Sequence, residues 1–115
     1  MAKYDMVRLD ELEGPMKKVR KALGVSSFGV NYGDLPPGAE GYKHDETTSG
    51  HEEVYVYVKG SGKLRLGDEE VPVEAGTAVR IDADVTRQNV AGDQGLAWVA
   101  IGAPSEGQYE PPSWG

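Results

Sequence analysis

The chain has 115 residues, no cysteine and a formal net charge of −7. That length makes one domain with a real core, the missing cysteines exclude disulfides and thiolate metal sites, and an acidic surface repels phosphate backbones, setting nucleic acid aside as a partner. No apolar run reaches the roughly 18–20 residues of a membrane helix, and the opening residues lack the basic-then-apolar pattern of a secretory leader, so a cytoplasmic protein with no membrane partner is expected.

Residues 1–25 form a leading segment. Asp10, Glu11 and Glu13 are followed by Lys17, Lys18, Arg20 and Lys21. Residues 15–23 read as one or two helical turns, with Pro15 early and Gly24 as the stop. From Ser26 the pattern changes to short strands and tight turns, and the 16 glycines and 7 prolines suit that change. Strands are expected at 26–32, 52–59, 63–66, 69–73, 78–81, 86–91 and 96–102. Leu35-Pro36-Pro37-Gly38 ends the first, Gly60-Ser61-Gly62 turns the second into the third, and Gly67-Asp68 makes a two-residue hairpin. Gly92-Asp93-Gln94-Gly95 separates the last two, and residues 104–115 form an extended tail in which Trp114 is expected to cover an apolar patch. With a single Phe and two Trp in the chain, the core must lean on Val, Leu and Tyr. Many short strands with glycine turns imply a β-sandwich or barrel.

The chemistry is concentrated in one stretch, Gly41-Tyr42-Lys43-His44-Asp45-Glu46-Thr47-Thr48-Ser49-Gly50-His51-Glu52-Glu53, which holds both histidines of the protein. His44 and Glu46 are two apart and so share a face of an extended chain; His51 and Glu53 obey the same rule. Side by side, the two pairs offer two imidazoles and two carboxylates, which suits Fe(II), Mn(II) or Zn(II). A polar surface loop is the alternative reading of the same residues. Tyr55 and Tyr57 share the face of Glu53 and are candidates to line a pocket or to pack in the core. Arg80 and Asp82 read as a solvated strand edge, and Trp98 as core.

The stretch from about 26 to 103 resembles a small single-domain cupin. The first cupin motif runs Gly-x5-His-x-His, a few residues, then Glu-x6-Gly; here Gly38 leads to His44-Asp45-Glu46, and Glu53 leads to Gly60. Glu52-Glu53-Val54-Tyr55-Val56-Tyr57-Val58-Lys59-Gly60-Ser61-Gly62 is typical of the family. In the second motif, opened by Gly76, the usual Pro, Gly and His positions hold Asp82, Asp84 and Arg87. The resemblance implies an all-β, antiparallel jelly-roll barrel with a short helical or irregular N-terminal segment, and a homodimer.

The family's metal site uses three His and one Glu. His44 and Glu53 match, Glu46 replaces the second His, and Arg87 replaces the third. The loop between Glu46 and Glu53 is longer than the motif and carries His51, a substitute ligand. A guanidinium cannot coordinate a metal but pairs well with carboxylates. An ion pair of Arg87 with Glu46 or Glu53 is therefore expected where the family holds its metal. Two functions follow, beside a purely structural or interaction role in which the pocket is vestigial. In one, the pocket binds a small polar or anionic molecule through Arg87, Tyr55 and Glu46, with metal optional. In the other, one divalent transition metal (Mn, Fe, Ni or Zn) on His44, Glu46, His51 and Glu53 supports an enzyme such as a dioxygenase or isomerase.

Overall fold

The computed structural model describes residues 3–115; the first two residues of the leading segment lie outside it. A 3₁₀ turn (Leu9–Glu11) precedes a two-residue strand β1 (Met16–Lys17) and the short helix α1 (Val19–Leu23). The barrel follows as β2 (Gly29–Leu35), β3 (His51–Leu66), β4 (Glu69–Glu74), β5 (Ala78–Ile81) and β6 (Arg87–Pro104). The strands pair antiparallel in the order β1-β2-β6-β3-β4, and β5 pairs with the first half of β3, along the same edge as β4. This is the expected all-β jelly-roll barrel. No helix among the described residues is long and apolar enough to cross a membrane.

The helix is shorter than residues 15–23. Pro15 instead accepts a hydrogen bond from the Asp34 amide, so the chain after it pairs with β2 before turning helical. Gly24 stops the helix as expected, at φ 73°. Strand β2 lies three residues later than the pattern suggested, because Ser27 and Phe28 sit in a bend and Pro36 sets the end.

The larger difference concerns glycine. Residues 60–62 and 92–95 do not separate strands; β3 and β6 run straight through them and pair along nearly their whole lengths. The register shifts at Tyr57/Lys59 and again at Gly60/Gly62, and these bulges bend the long strands around the barrel. Gly62 is required there because a Cβ would fall on the Val90 carbonyl oxygen. Gly67-Asp68, in contrast, forms the expected hairpin between Leu66 and Glu69, with Gly67 at φ 59°.

Alternation along β3 sends Glu53, Tyr55 and Tyr57 inward and Val54, Val56 and Val58 outward. Tyr55, Tyr57, Leu64, Leu96, Trp98 and Ala100 make the core with Leu35, Val73, Ile81 and Ala91. Tyrosine and leucine therefore fill the interior together with Val73, with Val71, Val79 and Val85 packed against it, as the composition led one to expect, while Val54, Val56 and Val58 occupy the outer face of β3. Gly33 lets the Trp98 ring lie directly on the β2 backbone. Arg80 and Asp82 pair on the exposed edge, and Arg80 also reaches Glu52 at 2.9 Å. Trp114 is 58% exposed; Tyr109 and the buried Gly115 are what the tail tucks in.

Candidate functional site

The site sits at the end of the barrel where β3 begins. Residues 40–46 run along β6 without becoming a full strand. Gly41 donates to the Asn89 carbonyl at 2.8 Å, and His44 exchanges backbone hydrogen bonds with Arg87 at 3.0 and 2.8 Å. That bridge brings the first motif against the second. The chain then turns sharply: Thr47 donates to Asp45 Oδ1 from its amide and its hydroxyl, and the Gly50 amide closes onto the Glu46 carbonyl at 2.7 Å. The turn leaves Glu46 facing the first inward residues of β3.

Three of the four candidate ligands converge. His44 Nε2 lies 3.3 Å from Glu46 Oε2 and 3.7 Å from Glu53 Oε1. One ligand atom from each residue falls within 4.8 Å of the other two. All three side chains are partly buried, at 26%, 19% and 16% exposure. His44 Nδ1 faces the Tyr42 carbonyl at 3.4 Å, so a proton on Nδ1 leaves the Nε2 lone pair pointing at the two carboxylates. Hydrogen bonding to Glu53 raises the His44 pKa above its ordinary value; partial burial opposes this, and the charges of Glu53 and Glu46 reinforce it.

Arg87 lies behind this cluster with its side chain wholly buried. Its Nη2 donates to the Asp82 carbonyl at 2.7 Å and its Nη1 lies 3.5 Å from Glu53 Oε1. Nε and Nη1 find no hydrogen-bond partner among the described residues. The expected ion pair is thus Glu53–Arg87. Because no part of the guanidinium reaches the surface, Arg87 acts on the pocket through Glu53 and through its charge. The Tyr55 hydroxyl points at the same Glu53 oxygen from 3.4 Å. Burial pushes the Tyr55 pKa well up, which keeps that hydroxyl protonated as a donor. The neighbouring Tyr57 donates instead to Asn89 and belongs to the core.

His51 stands apart from the three. Its Nδ1 is 3.8 Å from Glu46 Oε1, on the far side of that carboxylate from His44, and its ring stacks on Tyr109 with centroids 5.0 Å apart. Ser49 donates to the same Glu46 oxygen at 2.9 Å. Sequence reasoning did not find Tyr109, Tyr42 or Ser49 in the site. Tyr42 and Ser49 border the motif and were open to notice; Tyr109 arrives from the tail, and no spacing rule connects it to His51.

A divalent metal fits these residues. Bonds of about 2.1 Å to nitrogen and oxygen place neighbouring ligand atoms about 3.0 Å apart in an octahedron and about 3.4 Å apart in a tetrahedron. The 3.3 Å and 3.7 Å separations here are close to those edges and within reach of small side-chain rotations. Three acceptors facing one another also need a cation between them, either a proton on Nε2 or a metal.

A family model described as "Cupin domain" matches residues 31–102, more than half of the chain. No curated protein sequence matches the chain. Among solved structures, a cupin protein from Bacteroides fragilis superposes with a TM-score of 0.79 at 21% identity, over 97% of this chain and 93% of that one. A Cupin 2 conserved barrel domain protein from Salinispora arenicola gives 0.72 at 17% identity, over 90% and 92%. A predicted oxalate decarboxylase from Thermotoga maritima gives 0.64 at 22% identity, over 76% of each chain. At these identities the likeness establishes the fold.

Proposed function

The chain belongs to the cupin domain family, and on that premise we propose that its pocket binds a small anionic molecule at one divalent transition metal (Mn, Fe, Ni or Zn) held by His44, Glu46 and Glu53. The observation that carries this reading is the convergence of His44 Nε2 on two carboxylate oxygens with a buried guanidinium behind them. Glu46 and Glu53 balance the two charges of the metal. Arg87 then leaves one positive charge in a site of low dielectric, which a carboxylate or similar anion neutralises. Three protein ligands leave further coordination positions open, and a metal bound there supplies a Lewis acid that polarises the ligand's oxygen.

Each residue has a separate task. His44, oriented by the Tyr42 carbonyl, offers nitrogen. Glu46 offers Oε2 while Ser49 engages Oε1. Glu53 is fixed by Arg87 and Tyr55, which draw electron density from its Oε1 and soften it as a ligand. The experiment is elemental analysis of protein purified without a metal-chelating tag, before and after reconstitution with Mn, Fe, Ni and Zn. A thermal-shift screen of small carboxylates on the loaded protein follows. Near one metal per chain, with a carboxylate raising the melting temperature, supports the reading. No metal after reconstitution refutes it.

A further inference from the structure

Glu46 differs from the other two ligands in how it is held. Glu53 stands on β3 and His44 is bridged to β6, whereas Glu46 leads into a turn: its amide donates to the Ala83 carbonyl at 2.8 Å and its carbonyl accepts from Gly50 at 2.7 Å, so its backbone is held and the direction of its carboxylate is set by what touches the side chain. Those contacts are His44 on Oε2, and Ser49 and His51 on Oε1. His51 is in turn set by Tyr109, whose ring lies against it at an interplanar angle of 31°.

The tail that carries Tyr109 is built to stay in place. The Tyr109 hydroxyl sits over Gly29, where an added Cβ would come within 3.1 Å of it. Gly29 pairs directly with Gly102, and a Cβ on Gly102 would meet Glu53 Cγ at 3.2 Å. Two facing glycines thus make room for the tail's tyrosine and for the ligand Glu53 side by side at the barrel mouth. The tail's far end is clamped as well. Arg20 Nε of α1 donates to the Gly115 oxygen at 2.6 Å while Nη1 holds the Val25 carbonyl, and Gly115 is buried against Lys18. Pro111 and Pro112 stiffen the span between the two anchors.

We propose that Tyr109 is a positioning residue: by stacking on His51 it fixes the Glu46 carboxylate toward His44, so that the tail completes the cation site. The proposal rests on the metal reading for its consequence and on apo geometry for its substance. Supporting contacts of this kind are worth about ten- to a hundredfold in metal affinity. Tyr109→Ala therefore weakens binding of Co(II) or Zn(II) by that factor and alters the visible spectrum of the Co(II) form. Tyr109→Phe, which keeps the stack, binds within about twofold of wild type, since ring packing rather than the hydroxyl does the work. Arg20→Ala, which frees the far anchor, falls between them.

The same variants are read without metal by imidazole nitrogen NMR, which is simple because the protein has only two histidines. Tyr109→Ala shifts the ring resonances of His51 and, through Glu46, of His44. Tyr109→Phe moves neither to the same extent. If only the His51 signals move in Tyr109→Ala while the protein stays folded, or if its metal affinity and Co(II) spectrum match wild type, the proposal is overturned. A wild type that takes up no metal refutes the metal reading alone, and the apo spectra still decide the role of Tyr109. Should Tyr109→Ala unfold, Arg20→Ala carries both measurements: coupled His51 and His44 shifts support the proposal, and a shift confined to His51 overturns it.

Discussion

Removing the charge of Glu53 while Arg87 stays in place should destabilise the metal-free protein strongly, and removing both should not. Arg87 is wholly buried, and two of its donor nitrogens lack hydrogen-bond partners among the described residues. The carboxylate nearest to it is Glu53, 3.5 Å from Nη1. At an effective dielectric constant of about 20, that separation gives an attraction of about 5 kcal/mol. Glu53 is 16% exposed, so solvent screens part of it, and a loss of about 3–4 kcal/mol is expected for Glu53→Gln, in the range seen when one partner of a buried pair is removed. For a domain of this size that is roughly 12–25 °C in melting temperature. In the double variant Glu53→Gln/Arg87→Met the buried cation is gone and its volume is nearly kept, so stability should return to within about 1 kcal/mol of wild type. Urea unfolding in the presence of a chelator, followed by near-ultraviolet circular dichroism, measures all three proteins. A Glu53→Gln cost below about 1 kcal/mol, or a double variant less stable than Glu53→Gln, would refute the reasoning, because either result means that Glu53 does not offset the buried charge.

Other outcomes follow from the same geometry. His44→Ala should abolish metal uptake in elemental analysis, whereas His51→Ala should keep a stoichiometric site with affinity about tenfold weaker, since His51 touches Glu46 from outside the triad. The His44 pKa is raised in the fold by Glu53, so protonation of this group favours the folded state. Its contribution to apo stability is fully present below the unfolded value of about 6.5 and is lost as pH rises through the folded value. Melting temperatures recorded with chelator across that range should fall, and the fall should be absent in His44→Gln. Metal affinity should run the opposite way with pH, rising as the competing proton leaves Nε2. Gly62→Ala should cost about 1–3 kcal/mol in urea unfolding, because its Cβ meets backbone that cannot step aside.

Much of this protein is legible in its sequence. The alternation of Tyr55 and Tyr57 with Val54, Val56 and Val58 fixes a strand with two different faces, and Gly67-Asp68 fixes a hairpin, because both depend only on neighbours in the chain. The two-residue spacings of His44 with Glu46 and of His51 with Glu53 mark the site for the same reason. What local pattern could not decide was whether a glycine ends a strand or bends it. Gly60, Gly62, Gly92 and Gly95 look like turn residues, yet they lie inside β3 and β6; the reason is the close approach of one long strand to the other at Gly60, Gly62 and Gly92, and of the Leu35 carbonyl at Gly95. Nor could spacing decide which acidic and basic side chains meet. Arg87 pairs with Glu53 because the bridge to His44 sets its strand beneath the pocket, and His51 turns from the triad because Tyr109, brought in by the tail, offers its ring. Those contacts join residues far apart in sequence, so they exist only once the barrel has closed.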